Sequence, residues 1–172
     1  MRTNEKEKIL LVDAEKCSGC DLCALACSLV KRSIFNPFKG RIRVIRCLEK
    51  EISVPMICEH CIDPPCEKTC PTGAIKRGSD GIISINEDEC TGCRMCLLVC
   101  PFGALTMDLE KRVAVKCDLC DGKPLCAAIC PTDAITYVEK TPENLQKKRE
   151  VMAKNYEIRR QLPNLYQILG AE

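Results

Sequence analysis

Sixteen of the seventeen cysteines stand in four groups of four, and their spacing constrains the fold more than any other feature. The groups are Cys17, Cys20, Cys23 and Cys27; Cys58, Cys61, Cys66 and Cys70; Cys90, Cys93, Cys96 and Cys100; and Cys117, Cys120, Cys126 and Cys130. Only Cys47 lies outside them. Three groups run into closely similar tails, CPTGAI, CPFGAL and CPTDAI, whereas the first continues CSLVKRSIF without proline. This internal repetition is the main organising fact of the chain.

The spacing points to a metal chemistry. In CTGCRMCLLVCPFGAL, Cys90, Cys93 and Cys96 recur at intervals of three and Cys100 follows after four more. Structural zinc sites typically use two C-x2-C pairs with a longer spacer between them. A loop with three closely spaced thiolates wraps a cube instead, and its backbone N–H groups can turn inward to the sulfides. Gly19 and Gly92, between the first two cysteines of their loops, supply positive φ where such a loop needs it. From Cys96 the chain continues as helix, advancing about 6 Å by Cys100 at ~1.5 Å per residue. Cys100 therefore leaves its own loop's cube for a second centre. The run C-x2-C-x2-C-x3-C-P, matched at every position here, behaves in this way in bacterial two-cluster proteins. Sixteen cysteines thus suffice for four [4Fe-4S] clusters, with no ligand missing that would leave a three-iron centre. The second and fourth loops are wider, Cys61-x4-Cys66 and Cys120-x5-Cys126, and Pro64, Pro65 and Pro124 stiffen the detours.

Composition agrees. Three Phe, three Tyr and no Trp leave little aromatic material for a core, so something else must fill the interior. A disulfide scaffold requires an oxidising compartment. The start, MRTNEKEKILLVDAEKC, has only a short apolar run at residues 9–12, and no 18-residue apolar span occurs in the rest of the chain. The expectation is a reduced, cytoplasmic chain without a membrane span. Net charge is +2, from 26 basic and 24 acidic residues well interspersed, which predicts no nucleic-acid partner.

Strands are expected at residues 8–12, 41–48, 82–85, 104–107 and 113–116. Short helices are expected to end on Cys27, Cys70, Cys100 and Cys130, with proline stopping three of them. The unit is strand, cysteine loop, short helix, strand. Residues 1–140 form the cysteine-bearing domain. Residues 141–172 lack cysteine and read as a helical arm capped by Thr141 with Pro142 at the first helical position. Leu145, Met152 and Tyr156 are expected to share one stripe of it, with Pro163 ending it. The arm either folds back on its own domain or docks on another subunit.

The second and fourth groups, CEHCIDPPCEKTCP and KCDLCDGKPLCAAICPTDAI, resemble the four-cluster ferredoxin-type electron-transfer subunits over residues 10–138. Those subunits accompany molybdenum- and tungsten-pterin enzymes, formate dehydrogenases, some hydrogenases and carbon monoxide dehydrogenases. The resemblance implies an α+β fold of two ferredoxin-like (βαβ)2 dicluster modules, one inserted in the other, with a C-terminal helical extension. It implies one cluster on Cys17, Cys20, Cys23 and Cys130, and a neighbour on Cys117, Cys120, Cys126 and Cys27. A third falls on Cys58, Cys61, Cys66 and Cys100, and a fourth on Cys90, Cys93, Cys96 and Cys70. The segment ACSLVKRSIFNPFKGRIRVIR is similar to the small iron–sulfur subunits of tungsten-dependent aldehyde oxidoreductase-type complexes, a class with relatives acting on aromatic acyl-CoA esters. The resemblance thus implies a non-catalytic subunit of an anaerobic complex. Such a subunit relays single electrons between a large tungsten- or molybdenum-pterin subunit and a ferredoxin or flavin subunit. The alternatives are a hydrogenase, formate or carbon monoxide dehydrogenase complex, or a free-standing polyferredoxin.

The remaining singular residues read more plainly. His60, the only histidine, fills a loop or tunes a cluster; Cys47 is a small buried residue in a strand. Lys147, Lys148 and Arg149 read as a solvated helix face. No C-x3-C-x2-C triplet, the signature of S-adenosylmethionine radical chemistry, is present.

Overall fold

The computed structural model describes residues 7–47 and 50–161. Within it the strand–loop–helix–strand unit occurs four times. The first runs β1 (Lys8–Val12), α1 (Leu22–Arg32) and β2 (Arg43–Cys47); the second β3 (Ile52–Met56), α2 (Pro65–Lys68) and β4 (Ile75–Arg77). The third is β5 (Ile83–Ile85), α3 (Met95–Val99) and β6 (Thr106–Asp108); the fourth β7 (Val113–Val115), α4 (Leu125–Ala128) and β8 (Ile135–Glu139). A final helix, α5, spans Pro142–Arg160. The result is a small mixed α/β architecture.

Each unit is joined to the next by an antiparallel pair: β2 with β3, β4 with β5, β6 with β7. The pair β1–β8, running from Lys8 opposite Glu139 to Val12 opposite Ile135, returns the last unit to the first. Four two-stranded sheets therefore form a closed circuit of pairings, and α1 packs on α4 and α2 on α3.

Five elements depart from expectation. Helix α1 runs five residues beyond Cys27, because SLVKR contains no breaker, and stops where Ser33 turns left-handed at φ 55°. Strands β3, β4 and β8 are additional to those expected; Pro55 and the charged pair Lys76–Arg77 obscure the first two. On α5, Leu145 and Met152 are half-buried as the stripe requires, but Tyr156 is exposed, and the fully buried positions are Val151 and Asn155, flanked by half-buried Lys148 and Ile158. The start of α5 is as expected, with the Thr141 hydroxyl accepting from the Asn144 N–H at 3.2 Å. Pro163 lies outside the described residues.

The docking of α5 is partly polar. Asn155, 1% exposed, takes the Ala14 N–H on Oδ1 at 3.1 Å and donates from Nδ2 to the Val12 carbonyl. Lys148 turns inward to Glu59, so the basic run it belongs to is only partly a solvated face. α5 thus lies on β1 and β3. Replacing Asn155 with Ala strands two buried backbone groups, a loss of about 3 kcal/mol. The expected result is a lower denaturation midpoint with iron content unchanged; an unaltered midpoint contradicts the clamp.

The core is built as much from sulfur as from hydrocarbon. Cys23, Cys27, Cys58, Cys117 and Cys126 share one buried cluster with Leu10, Val12, Ile42, Ile57 and Ile135. Cys66 and Cys96 share another with Ile75, Ile83 and Leu105. Cys47 packs apart from both, against Ala14, Ile45, Val54 and Met56. Among the described residues no helix is long and apolar enough to cross a membrane.

Candidate metal centres

The four cysteine loops share a backbone device. In each, the residue two places after the first cysteine is left-handed: Gly19 at φ 73°, His60 at 48°, Gly92 at 68° and Leu119 at 59°. Glycine is required at the third loop, where a Cβ on Gly92 would strike the Arg112 carbonyl oxygen. His60 and Leu119 hold the same turn against a steric penalty of roughly 1–2 kcal/mol. His60 is tied down by the Ile83 N–H, which donates to Nδ1 at 3.1 Å. Burial, with Lys116 and Lys148 nearby, holds its imidazole down to about 3, so it is neutral at neutral pH. The glycine pattern marked only the first and third turns; nothing in the residue types of His60 and Leu119 announces the others.

These turns bring cysteines of different groups together. Cys17, Cys20 and Cys23 line a cavity with Cys130, whose empty volume is ≈ 300 Å³, part of it open to solvent. Cys27 lines a second with Cys117, Cys120 and Cys126, ≈ 320 Å³. Cys58, Cys61 and Cys66 line a third with Cys100, ≈ 310 Å³. Cys70, Cys90 and Cys96 pack against one core cluster, with the exposed Cys93 beside Cys96. Among the described residues no three His, Cys, Asp or Glu side chains close on a single-ion point. The first three quartets surround spaces.

Adjacent quartets touch electrostatically. Burial and then the charge of Cys66 push Cys96 up to about 11. Burial first, with Cys58 contributing, lifts Cys117 to about 12. Cys126 is driven upward by burial, by Cys117 and Cys27, and by Cys23 of the next quartet. The neighbours therefore run in series from the Cys90 group through the Cys58 and Cys117 groups to the Cys17 group. Cys93 and Cys20, both exposed, belong to the first and last of these groups.

Such sites fit a cuboidal iron–sulfur group. Burial and mutual repulsion oppose thiolates here, Cys23 being pushed up to about 12, and bound iron supplies the missing positive charge. Backbone N–H groups already point at sulfur: Arg41 to Cys27 at 3.2 Å, His60 to Cys58 at 3.4 Å, Ala114 to Cys90 at 3.4 Å and Ala104 to Cys100 at 3.5 Å. At Cys70 and Cys130 burial raises the thiol, but hydrogen bonds outweigh it and leave both below the ordinary value. Thr72 and the Ile75 N–H act on Cys70, and Ile135 and Thr132 on Cys130.

Four-cysteine loops with this turn and these sulfur-directed amides define an iron–sulfur protein. Residues 50–140 match the family described as the 4Fe-4S dicluster domain, and residues 14–30 match a 4Fe-4S binding domain. The chain belongs to the 4Fe-4S dicluster domain family. It is 40% identical over 103 residues to a selenate reductase subunit of Mesobacillus selenatarsenatis, covering 55% of this chain and 34% of that protein. It is also 40% identical over 100 residues to the aliphatic sulfonate oxidoreductase polyferredoxin-like subunit of Pyrococcus furiosus, covering 57% of each. The matches thus span between a third and somewhat over half the length of these relatives. A solved structure, the active site complex BamBC of benzoyl coenzyme A reductase with benzoyl-CoA, aligns at 27% identity and a TM-score of 0.46. That alignment covers 86% of this chain and 89% of the other.

Proposed function

We propose that the chain is the electron-transfer subunit of an oxidoreductase complex and holds four [4Fe-4S] clusters in a row. The observation that carries this reading is the series of cavities lined by cysteines of two groups each, with Cys93 and Cys20 exposed in the first and last groups of the series. The ligands are Cys17, Cys20, Cys23 and Cys130; Cys27, Cys117, Cys120 and Cys126; Cys58, Cys61, Cys66 and Cys100; and Cys70, Cys90, Cys93 and Cys96. The α1–α4 and α2–α3 pairs then belong to two ferredoxin-like dicluster modules, the second inserted in the first, and residues 141–172 are an appended arm.

When bound, the clusters supply one-electron chemistry at potentials set by burial, charge and hydrogen bonds to sulfur. The chain holds the thiolates, shields the inner sites from water and leaves the outer ones near the surface. Chemistry on a substrate belongs to a partner. We assign that role to a large tungsten- or molybdenum-pterin subunit of the aldehyde oxidoreductase type, with a ferredoxin or flavin subunit at the other end, in an anaerobic cytoplasm. Kinship with the polyferredoxin-like subunit of a sulfonate oxidoreductase supports a subunit role. So do the large apolar side chains left exposed, Phe35 and Phe38 after α1 and Leu98 on α3, which a partner would cover.

Anaerobic purification tests the reading. The expected result is about sixteen iron and about sixteen acid-labile sulfide per chain, co-purifying with a larger redox subunit. Zinc without sulfide would sink the cluster assignment, and a stable, fully loaded lone monomer the subunit assignment.

A further inference from the structure

The quartet Cys58, Cys61, Cys66 and Cys100 differs from its neighbours in the charges around it. Lys116 is 2% exposed, donates from Nζ to the carbonyls of Ile83 and, at 3.1 Å, of Cys117, and its charge acts on Cys58. Among the described residues no carboxylate pairs with it. Arg43 donates to the carbonyls of Gly103 at 2.8 Å and Leu105 at 3.1 Å, and its charge acts on Cys100. Arg159 lies 5.2 Å over the Phe102 ring, donates to the Pro55 carbonyl at 3.1 Å and also acts on Cys100. Burial lowers both guanidinium groups, yet arginine keeps its proton in proteins. The carboxylate on this loop, Glu59, is met by Lys148 at 3.4 Å and also acts on Arg159, so four cations stand against one carboxylate, a surplus of three.

Apart from Lys116, which also acts on Cys117, the other quartets have no such surplus. Lys31 and Arg41, beside Cys27 and Cys120, share Asp118 at 2.8 and 2.5 Å, and Arg41 also faces Glu87 at 3.8 Å. At the first loop Arg46 is paired with Asp21, and Asp21 itself acts on Cys17 and Cys23 as a like charge. Around Cys96 the charges that act are those of Cys66, Cys90 and Cys93.

We propose that Lys116, Arg43 and Arg159 make the centre held by Cys58, Cys61, Cys66 and Cys100 the highest in reduction potential of the four, so that an electron in the row comes to rest there. This rests on the ligand assignment above. Accepting one electron, with no proton, adds one negative charge to the site. Fixed cations at low dielectric favour that charge state. Lys116 gains most, since an unpaired buried ammonium acquires a counter-charge. The same residue separates the second and third quartets in the row, so removing it should move the Cys117 centre less.

The test is a potentiometric titration of the full chain in its complex, read by electron paramagnetic resonance, with Cys58→Ser marking which signal belongs to this centre. The expected result is that the marked signal has the highest midpoint in the unaltered protein. Lys116→Met should lower it by at least a tenfold change in the reduced-to-oxidised ratio, 59 mV for a one-electron couple. Lys116→Arg should restore it, with iron content constant throughout. A marked signal that is not the highest, or that Lys116→Met leaves in place, overturns the proposal. Should Lys116→Met fail to fold, Arg159→Leu must give the same downward shift, and no shift overturns the proposal equally. Iron below four clusters in the unaltered protein, or no cluster lost in Cys58→Ser, is read before any titration. That outcome overturns the ligand assignment, and this proposal with it.

Discussion

Stripping the iron with a chelator under reducing conditions is expected to abolish the cooperative fold, seen as loss of the thermal transition and of most circular dichroism signal. Each sheet has only two strands, a size marginal on its own in water. Three of the helices between them have four or five residues. The interior is cysteine sulfur set among a few aliphatic side chains. Metal-binding free energy then serves as folding free energy, on the order of 10 kcal/mol per site in small metal-dependent domains. A chelated protein that keeps a sharp transition would contradict this. The two forms should also differ in pH response. In the loaded protein protons compete with iron for thiolates, so acid promotes loss. Any native-like form left after stripping holds Cys23 and Cys117 protonated, both raised by burial to about 12 against an ordinary 9.0. A raised folded value stabilises below the unfolded one, so that contribution is intact below pH 9.0 and fades toward about 12.

Replacing Cys100 with Ser is expected to remove the centre begun at Cys58 and spare the one begun at Cys90, with iron falling by about a quarter on the four-cluster reading. α3 carries Cys96 near its start and ends at Val99, so Cys100, extended at φ −74° and ψ 112°, steps off the helix into the cavity with Cys58, Cys61 and Cys66. The Ala104 N–H fixes its sulfur there at 3.5 Å. Cys58→Ser and Cys100→Ser should therefore lose the same paramagnetic signal, and Cys70→Ser and Cys90→Ser should share a different one. Loss of the Cys90 signal alone on replacing Cys100 would refute the crossed arrangement.

Much of this is legible in residue order. The C-x2-C-x2-C-x3-C-P run already sends Cys100 away from its own loop, and Thr141 with Pro142 locates the start of α5. The features that escape have physical causes. Apolar spacing puts Leu145, Met152 and Tyr156 on one stripe of α5, yet Tyr156 is exposed and the buried polar contact comes from Asn155, binding the backbone of residues 12 and 14. Apolar periodicity cannot register a helix docked by hydrogen bonds. β3 contains Pro55, tolerated because its strand pairs on one side only, with β2. His60 and Leu119 hold left-handed turns that their side chains disfavour, and a neighbouring strand, through the Ile83 N–H, is what stabilises the first.

The pairing of β1 with β8 bears on how the molecule could have arisen and how it can be rewired. Beyond those strands the Lys140 N–H still donates to the Glu7 carbonyl at 2.8 Å, so the cysteine-bearing body ends where it began. A chain whose last unit meets its first as every unit meets the next has no privileged opening. The turn at Gly78–Gly81 or the one between β6 and β7 could serve as the start of a circular permutant, given a short linker from residue 140 back to residue 7. The arrangement also suits descent by repeated doubling of one segment, since each added unit offers the same strand edges to its neighbours.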